Sequence, residues 1–104
     1  MNNIIEKLET ILQDRKTKDP IDSYVSSLFS KGNQDICDKI IEEAGELVDA
    51  TDDGKAQVVH ETADLLFHVL VLLASLDIKY ATILDELTER FGTSGIEEKN
   101  NRQK

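Results

Sequence analysis

The sequence predicts an all-α protein, a bundle of four to five helices with a carboxylate metal site between two antiparallel central helices. Apolar residues recur at helical spacing in four segments of the chain. Aromatic residues make up only 5% of the composition, and one Pro and five Gly provide few turn signals, which argues against a β-sandwich. With 104 residues, the chain is expected to form one domain over 1–104.

The first predicted helix carries its apolar residues on one face and ends at the polar connector "DRKTKDPID". These apolar residues are Ile4, Ile5, Leu8, Ile11 and Leu12. The segment "SYVSSLFSKG" predicts a short amphipathic helix that is closed by Gly32 as a C-cap. The second long helix is expected to start near Asn33 or Asp35, both good N-caps, and to run to about Ala50.

The segment "TDDGK" predicts a tight turn that makes the second and third long helices antiparallel neighbours. The third helix is predicted over about 55–76, and the fourth from Tyr80 to Gly92, with apolar residues on one side. The remaining segment, 93–104, has no periodicity and is expected to be a mobile tail.

The net charge of −9 argues against binding to nucleic acids or to an anionic membrane, because both would repel an acidic surface. The single Cys37 is consistent with a reducing cytosol. The start "MNNIIEKLE" shows no secretory signal, and the apolar run Leu65–Ala74 is too short to span a bilayer. We therefore expect a cytoplasmic protein.

Two predicted helices place carboxylates where a core is expected. On a wheel of about 100° per residue, Glu43 lies about 20° from Ile36 and about 40° from Leu47, inside the apolar stripe. Glu46 and Lys39 flank the same edge, whereas four other acids, Asp38, Asp49, Asp52 and Asp53, are expected on a solvated face.

In the third helix, Glu61, Asp64 and His68 fall within about 60° of one another. Because the helix is apolar nearly all round beyond Leu65, we expect Asp64 and His68 to have little access to open water. Glu43 and Glu46 flank the tight turn on one side, and Glu61 and Asp64 on the other, so the four carboxylates are expected to converge.

Four ionised carboxylates in one pocket repel one another, by on the order of 3 kcal/mol for a pair about 5 Å apart at an effective dielectric near 20. Shared protons or a bound cation would offset this repulsion. Oxygen ligands from two antiparallel helices suit Mg²⁺, or Mn²⁺, better than a soft metal. The other interpretation is a buried acid network paired with Lys39 and other bases.

Four segments resemble motifs of the phosphoribosyl-ATP pyrophosphatase family of histidine biosynthesis, within the all-α nucleotide pyrophosphohydrolase superfamily. They are "DSYVSSLFSKG" (22–32), "KIIEEAGELVDA" (39–50), "ETADLLFHVLVLLA" (61–74) and "SGIEEKNNR" (94–102). The resemblance covers about residues 20–102. It implies Mg²⁺-dependent hydrolysis of phosphoribosyl-ATP to phosphoribosyl-AMP and pyrophosphate. The chain departs from the family pattern at Lys79, which opens the fourth helix where the family usually has a small polar cap.

The resemblance implies roles for individual residues of this chain. The implied metal ligands are Glu43, Glu46, Glu61 and Asp64, and Glu42 is a nearby acid that would orient water. Separately from the motifs, candidate substrate-binding residues are Lys31, Lys39, His68, Lys99 and Arg102. Plainer alternatives stay open: an ordinary surface lysine for Lys31, a core histidine hydrogen-bonded to a carboxylate for His68, and a disordered tail for Lys99 and Arg102.

Other functions stay open at this level. One is a house-cleaning pyrophosphatase acting on dUTP or modified nucleotides, and another is a non-catalytic acidic interaction module. Four helices of this length bury little apolar surface alone, so a homodimer or larger homo-oligomer is expected. Because some relatives are fused to a cyclohydrolase and this chain has no such half, the next pathway step would need a separate enzyme.

Overall fold

The computed structural model describes residues 3–92, apart from the side chain of Asp22. This part of the chain forms five α-helices and one short 3-10 helix, without a strand. The elements are α1 (Ile4–Arg15), the 3-10 helix (Pro20–Asp22), α2 (Tyr24–Lys31), α3 (Asn33–Ala50), α4 (Lys55–Ser75) and α5 (Tyr80–Phe91). The predicted all-α bundle is confirmed, whereas the tail 93–104 lies outside the described residues.

Side-chain caps fix the connector between α1 and α2. The Asp19 carboxylate accepts a hydrogen bond from the backbone N–H of Ile21 at 2.9 Å, and the Ser23 hydroxyl accepts one from the N–H of Ser26 at 3.3 Å. The buried Ser26 hydroxyl in turn donates to the carbonyl of Arg15 at 2.8 Å. These bonds satisfy backbone groups at helix ends, so α2 is held against the end of α1.

Gly32 joins α2 directly to α3. It has φ 103°, a left-handed value that favours glycine, and its N–H donates to the carbonyl of Leu28 at 3.1 Å. The same residue occupies the N-cap position of α3, where no side chain caps the helix. The prediction of a C-cap at Gly32 is confirmed. The prediction that α3 starts near Asn33 is confirmed, but the prediction that Asn33 or Asp35 caps it was wrong, because Gly32 takes the N-cap position and both residues lie inside α3.

The central hairpin consists of α3 and α4, which make the most extensive contact between any two described elements. Residues 51–54 form the turn between them. In it the N–H of Asp53 donates to the carbonyl of Ala50 at 2.9 Å, and Gly54 has φ 102°. The turn is short, so the helices run antiparallel as the "TDDGK" segment predicts.

The core lies between α1, α2, α3 and α4, at the end of the hairpin away from the turn. Its buried residues are Leu12, Leu28, Ile36, Leu70, Val71 and Ala74. Side chains from all four helices are needed to close it, and each gains apolar burial at about 25 cal/mol per Å². The core therefore fixes the axial register of α3 against α4, which determines which polar side chains meet further along the hairpin.

The last helix, α5, packs loosely and has no buried residue. Its N-cap residue, Lys79, makes no side-chain cap bond. Instead, the Glu9 carboxylate on α1 accepts a hydrogen bond from the backbone N–H of Tyr80 at 2.8 Å. A carboxylate at a helix N-terminus also interacts favourably with the helix dipole. Glu9 therefore caps α5, a role that a small polar residue would have at the position of Lys79.

Helix α4 is less buried in the single chain than its composition predicts. Val59 is exposed, and Leu66 is 36% exposed, because only part of the helix circumference contacts other helices. An 18-residue window of α4 reaches a mean hydropathy of 1.5, so by length and composition alone it resembles a membrane span. The core helix of a soluble protein meets the same criterion, and α4 turns Glu61 and His68 into the bundle.

Candidate metal centre

Three carboxylates meet between α3 and α4. Glu43 and Glu46 from α3 and Glu61 from α4 each offer an oxygen atom, and these atoms all lie within 4.8 Å of one another. Glu43 is 8% exposed and Glu61 is 9% exposed, whereas Glu46 is exposed at the edge of the cluster. The predicted inward orientation of Glu43 is confirmed. The four acids expected on a solvated face, Asp38, Asp49, Asp52 and Asp53, are exposed.

Two buried carboxylate oxygens have no hydrogen-bond partner among the described residues. They are Oε2 of Glu43 and Oε2 of Glu61. The other oxygen of Glu61 accepts a hydrogen bond from the Gln57 amide at 2.8 Å. An unpaired buried polar atom is costly, and a bound cation would remove that cost at both oxygens. The donor set consists of carboxylate oxygens, which are the ligands that Mg²⁺ and Mn²⁺ take.

Asp64 joins this site at its edge. It forms a second group with His60 and Glu61, in which the possible ligand atoms again lie within 4.8 Å of one another. The Asp64 side chain is 44% exposed, and its carboxylate lies 3.5 Å from Nε2 of His60. The expectation that Asp64 avoids open water was wrong, because α3 covers only one side of α4 at this position. The four carboxylates thus form two overlapping groups that share Glu61.

His60 was missed as a neighbour of this site. It is exposed, and its spacing of four residues from Asp64 places the two side chains on the same face of α4. That spacing was a signal available in the sequence.

The electrostatics of the cluster agree with its geometry. The pKa of Glu46 is raised above the ordinary value for glutamate, mainly because the carboxylate of Glu43 repels the ionised form, with smaller contributions from burial and from Glu61. Repulsion between like charges is the second of the general causes of pKa shifts. Without a cation, the neighbouring carboxylates therefore disfavour the ionised form of Glu46.

A cavity of about 300 Å³ lies beside the cluster, between α2 and α3. Its lining includes the candidate residues Lys31, Lys39 and Glu42, together with Tyr24. The Lys39 ammonium lies 3.4 Å from the Glu42 carboxylate, and this hydrogen bond is the main reason that the pKa of Lys39 is raised. Glu42 therefore faces this cavity and Lys39 and is not a member of the Glu43–Glu46–Glu61 group.

His68 is buried and both of its ring nitrogens are hydrogen-bonded. Nδ1 lies 2.9 Å from the backbone carbonyl of Asp64, and Nε2 lies 2.9 Å from the hydroxyl of Tyr24. The expected carboxylate partner is thus replaced by a carbonyl and a phenol. Burial is the main reason that the pKa of Tyr24 is raised; the charge of Lys39 opposes the shift and that of Glu43 adds to it. Sequence reasoning missed Tyr24, because 44 residues separate it from His68.

Two further features lie away from the carboxylates. A groove of about 970 Å³ between α1, the end of α4 and the start of α5 has a mainly apolar lining, which includes Ile5, Leu70 and Leu84 but none of the carboxylates of the cluster. The candidate substrate-binding residues Lys99 and Arg102 lie outside the described residues, and their role stays a prediction.

The fold and the site together define the class: a small all-α protein with acidic side chains on facing antiparallel helices. The sequence profile of the phosphoribosyl-ATP pyrophosphohydrolase family matches residues 5–91. The chain belongs to this family.

Named relatives agree with the family assignment over nearly the full chain. A phosphoribosyl-ATP pyrophosphatase of Vesicomyosocius okutanii is 50% identical, with 98% of each chain covered. The corresponding proteins of Ruthia magnifica and Geobacter sulfurreducens are each 47% identical, covering 98% and 97% of this chain and 98% and 94% of their own. The assignment as a hydrolase argues against the non-catalytic interaction module.

Proposed function

We propose that this protein hydrolyses phosphoribosyl-ATP to phosphoribosyl-AMP and pyrophosphate in a Mg²⁺-dependent reaction, as the second step of histidine biosynthesis in the cytoplasm. The observation that carries the proposal is the pair of buried, unpartnered oxygens on Glu43 and Glu61, in a chain whose relatives are named phosphoribosyl-ATP pyrophosphatases. A cluster that is costly without a cation is suited to bind a cation together with polyphosphate.

The carboxylates would hold the metal ion. Glu43, Glu46 and Glu61 provide three oxygens within 4.8 Å, and the half-exposed Asp64 is positioned at the open edge, where a ligand could approach. When bound, Mg²⁺ would neutralise phosphate oxygens and lower the pKa of a coordinated water molecule. Because Mg²⁺ keeps several waters and substrate oxygens as ligands, three or four protein carboxylates are sufficient. Mn²⁺ would bind to the same oxygen ligands.

The cavity beside the cluster would take the rest of the substrate. The protein has a net charge of −9, so an anionic substrate needs local positive charge at its binding site. Lys31 and Lys39 supply positive charge in a cavity lining that also carries the acids Asp35, Asp38 and Glu42, so the bound metal ion would supply much of the attraction, and Lys99 and Arg102 are further candidates from the tail. The proposed role of Glu42 in orienting water would require it to exchange its contact with Lys39 for a contact with that water.

Pyrophosphate release from phosphoribosyl-ATP tests the proposal directly. We expect release that requires Mg²⁺ or Mn²⁺ and that is abolished by Glu61→Gln, which preserves side-chain volume but removes the charge of a ligand. The exposed Asp52→Asn, in the turn of the same hairpin, is the matched control and should keep full activity. Hydrolysis of dUTP in preference to phosphoribosyl-ATP would instead support the house-cleaning activity.

We further propose that the protein is a homodimer that pairs through the outer face of the α3–α4 hairpin. Ile41 and Val48 on α3 are 71% and 67% exposed, and Val59 on α4 is 68% exposed. Ile41 and Val48 are seven residues apart, so they share one side of α3. A second hairpin would cover this stripe and complete a four-helix arrangement. Light scattering should give about twice the chain mass of 11.7 kDa, and a monomer at micromolar concentration would refute the pairing.

A further inference from the structure

Tyr24 lines the cavity and lies within electrostatic reach of the carboxylates Glu43 and Asp64. It is the first residue of α2 and is half-exposed, and its ring lines the cavity together with Lys31 and Lys39. Its hydroxyl also feels the charges of Lys39 and Glu43. The proposed mechanism gives this side chain no role, although its hydroxyl is positioned by a bond to another helix.

The direction of that bond follows from the donors and acceptors. The backbone carbonyl of Asp64 can only accept, so Nδ1 of His68 must donate to it across 2.9 Å. A neutral imidazole with its proton on Nδ1 has an acceptor at Nε2. With His68 neutral, the Tyr24 hydroxyl therefore donates its proton to Nε2 across 2.9 Å. Because the hydroxyl proton is used in the hydrogen bond to His68, the Tyr24 oxygen can only accept a further hydrogen bond.

The surroundings of His68 hold this arrangement in place. The imidazole is 6% exposed, and its ring packs edge-on against Phe67 with ring centroids 5.2 Å apart. The ring of Tyr24 lies edge-on to His68 at 6.0 Å. No side chain within residues 3–92 donates a hydrogen bond to the Tyr24 oxygen, since the nearby Lys39 ammonium is bonded to Glu42. The acceptor is thus rigid, partly exposed and unused by the protein.

We propose that Tyr24 binds the substrate by accepting a hydrogen bond from a hydroxyl of the ribose that carries the triphosphate chain, with His68 as the positioning residue. The inference rests on the proposed function for the identity of the substrate. Phosphate oxygens only accept hydrogen bonds, so they cannot bond to the Tyr24 oxygen, whose proton is already donated to His68. The ribose hydroxyls are donors and are covalently next to the phosphates, as the cavity is next to the carboxylates. His68, predicted as a substrate-binding residue, then acts through Tyr24.

Tyr24→Phe removes the hydroxyl and keeps the ring. We expect KM for phosphoribosyl-ATP to rise about three- to tenfold, the equivalent of one hydrogen bond, while kcat changes less than twofold, as expected for uniform binding. Tyr80→Phe makes the same deletion at the other tyrosine of the chain and should leave both constants unchanged. An unchanged KM in Tyr24→Phe, or a fall in kcat alone, would overturn the proposal.

Two variants of His68 distinguish whether the Tyr24 hydroxyl accepts a hydrogen bond from the substrate or donates one to it. His68→Asn keeps a donor near Nδ1 but removes the acceptor at Nε2, whereas His68→Gln can place an amide oxygen near Nε2. If Tyr24 must be fixed as an acceptor, His68→Asn raises KM as much as Tyr24→Phe does, and His68→Gln raises it less. If Tyr24 donated to the substrate, freeing its proton in His68→Asn would leave KM unchanged or lower. The Mg²⁺ concentration for half-maximal activity should stay constant in both variants.

Binding of AMP and of 2′,3′-dideoxy-AMP, measured by calorimetry, tests the ribose contact without turnover. The wild-type protein should bind AMP about three- to tenfold more tightly than it binds 2′,3′-dideoxy-AMP. Tyr24→Phe should bind the two nucleotides equally. Equal binding by the wild-type protein would refute the ribose contact even if phosphoribosyl-ATP is hydrolysed. A wild-type protein that prefers AMP but does not hydrolyse phosphoribosyl-ATP would instead refute the proposed function and support the ribose contact.

Discussion

Glu43→Gln should make the metal-free protein more stable while it abolishes activity. Glu43 and Glu61 are both buried, and their nearest ligand oxygens lie within 4.8 Å of each other. Two unit charges at this distance repel by about 3.5 kcal/mol at an effective dielectric near 20. The amide removes that repulsion with almost no change in volume. Because the protein and the surrounding water relax around neighbouring charges, we expect about 1–2 kcal/mol of this to appear as a gain in the free energy of unfolding.

Urea unfolding at neutral pH measures this gain. The wild-type protein and Glu43→Gln are compared first with a chelator and then with Mg²⁺ in excess. Each kcal/mol also raises Tm by about 4–8 °C for a domain of this size. Mg²⁺ should stabilise the wild-type protein by mass action, in proportion to its affinity for the folded state, and should stabilise Glu43→Gln much less. The order of stability of the two proteins is therefore expected to change on addition of Mg²⁺.

Asp49→Asn is the matched control, since it makes the same change from acid to amide on an exposed position of α3. It should change neither the metal-free stability by more than about 0.5 kcal/mol nor the response to Mg²⁺. Two results together would contradict this reasoning: Glu43→Gln less stable than the wild-type protein in chelator, and a gain in stability from Mg²⁺ as large as that of the wild-type protein. Glu43 would then be neither a source of repulsion nor a ligand.

Three further predictions concern other parts of the molecule. Glu9→Ala should lower the free energy of unfolding by about 1 kcal/mol, the usual value of a lost helix cap, whereas Gln13→Ala at an exposed position of the same helix should not; equal losses in urea unfolding would refute the cap. The raised pKa of Glu46 means that the folded protein holds its proton to higher pH than the unfolded chain does. In metal-free protein, the stability should therefore fall as pH rises from about 4.3, the ordinary glutamate value, and Glu46→Gln should remove that part of the slope; an identical slope would contradict the assignment. Val48→Lys should convert the proposed dimer to a monomer in light scattering, because it places a charge in the centre of the apolar stripe, and an unchanged mass would exclude this face.

Local spacing in the sequence was sufficient to predict the helices and the inward side of α3. The interval from Ile36 to Glu43 is almost two full turns, so the carboxylate shares the angular position of a core residue wherever the helix packs. The turn before α4 is likewise predicted by the segment "TDDGK", whatever the tertiary packing of the helices. Both depend only on residues near in sequence, for which the geometry of an α-helix is fixed.

Contacts between helices were decided by the tertiary structure. A helical wheel gives the angle of Asp64 but not how far α3 extends around α4, so the half-exposed position of Asp64 could not be derived from spacing. Glu9 reaches the start of α5 across 71 residues, and Tyr24 reaches His68 across 44, without any local signal. These contacts follow from the axial register that the core imposes on α1, α2 and α4, and that register depends on the packing of all four helices at once.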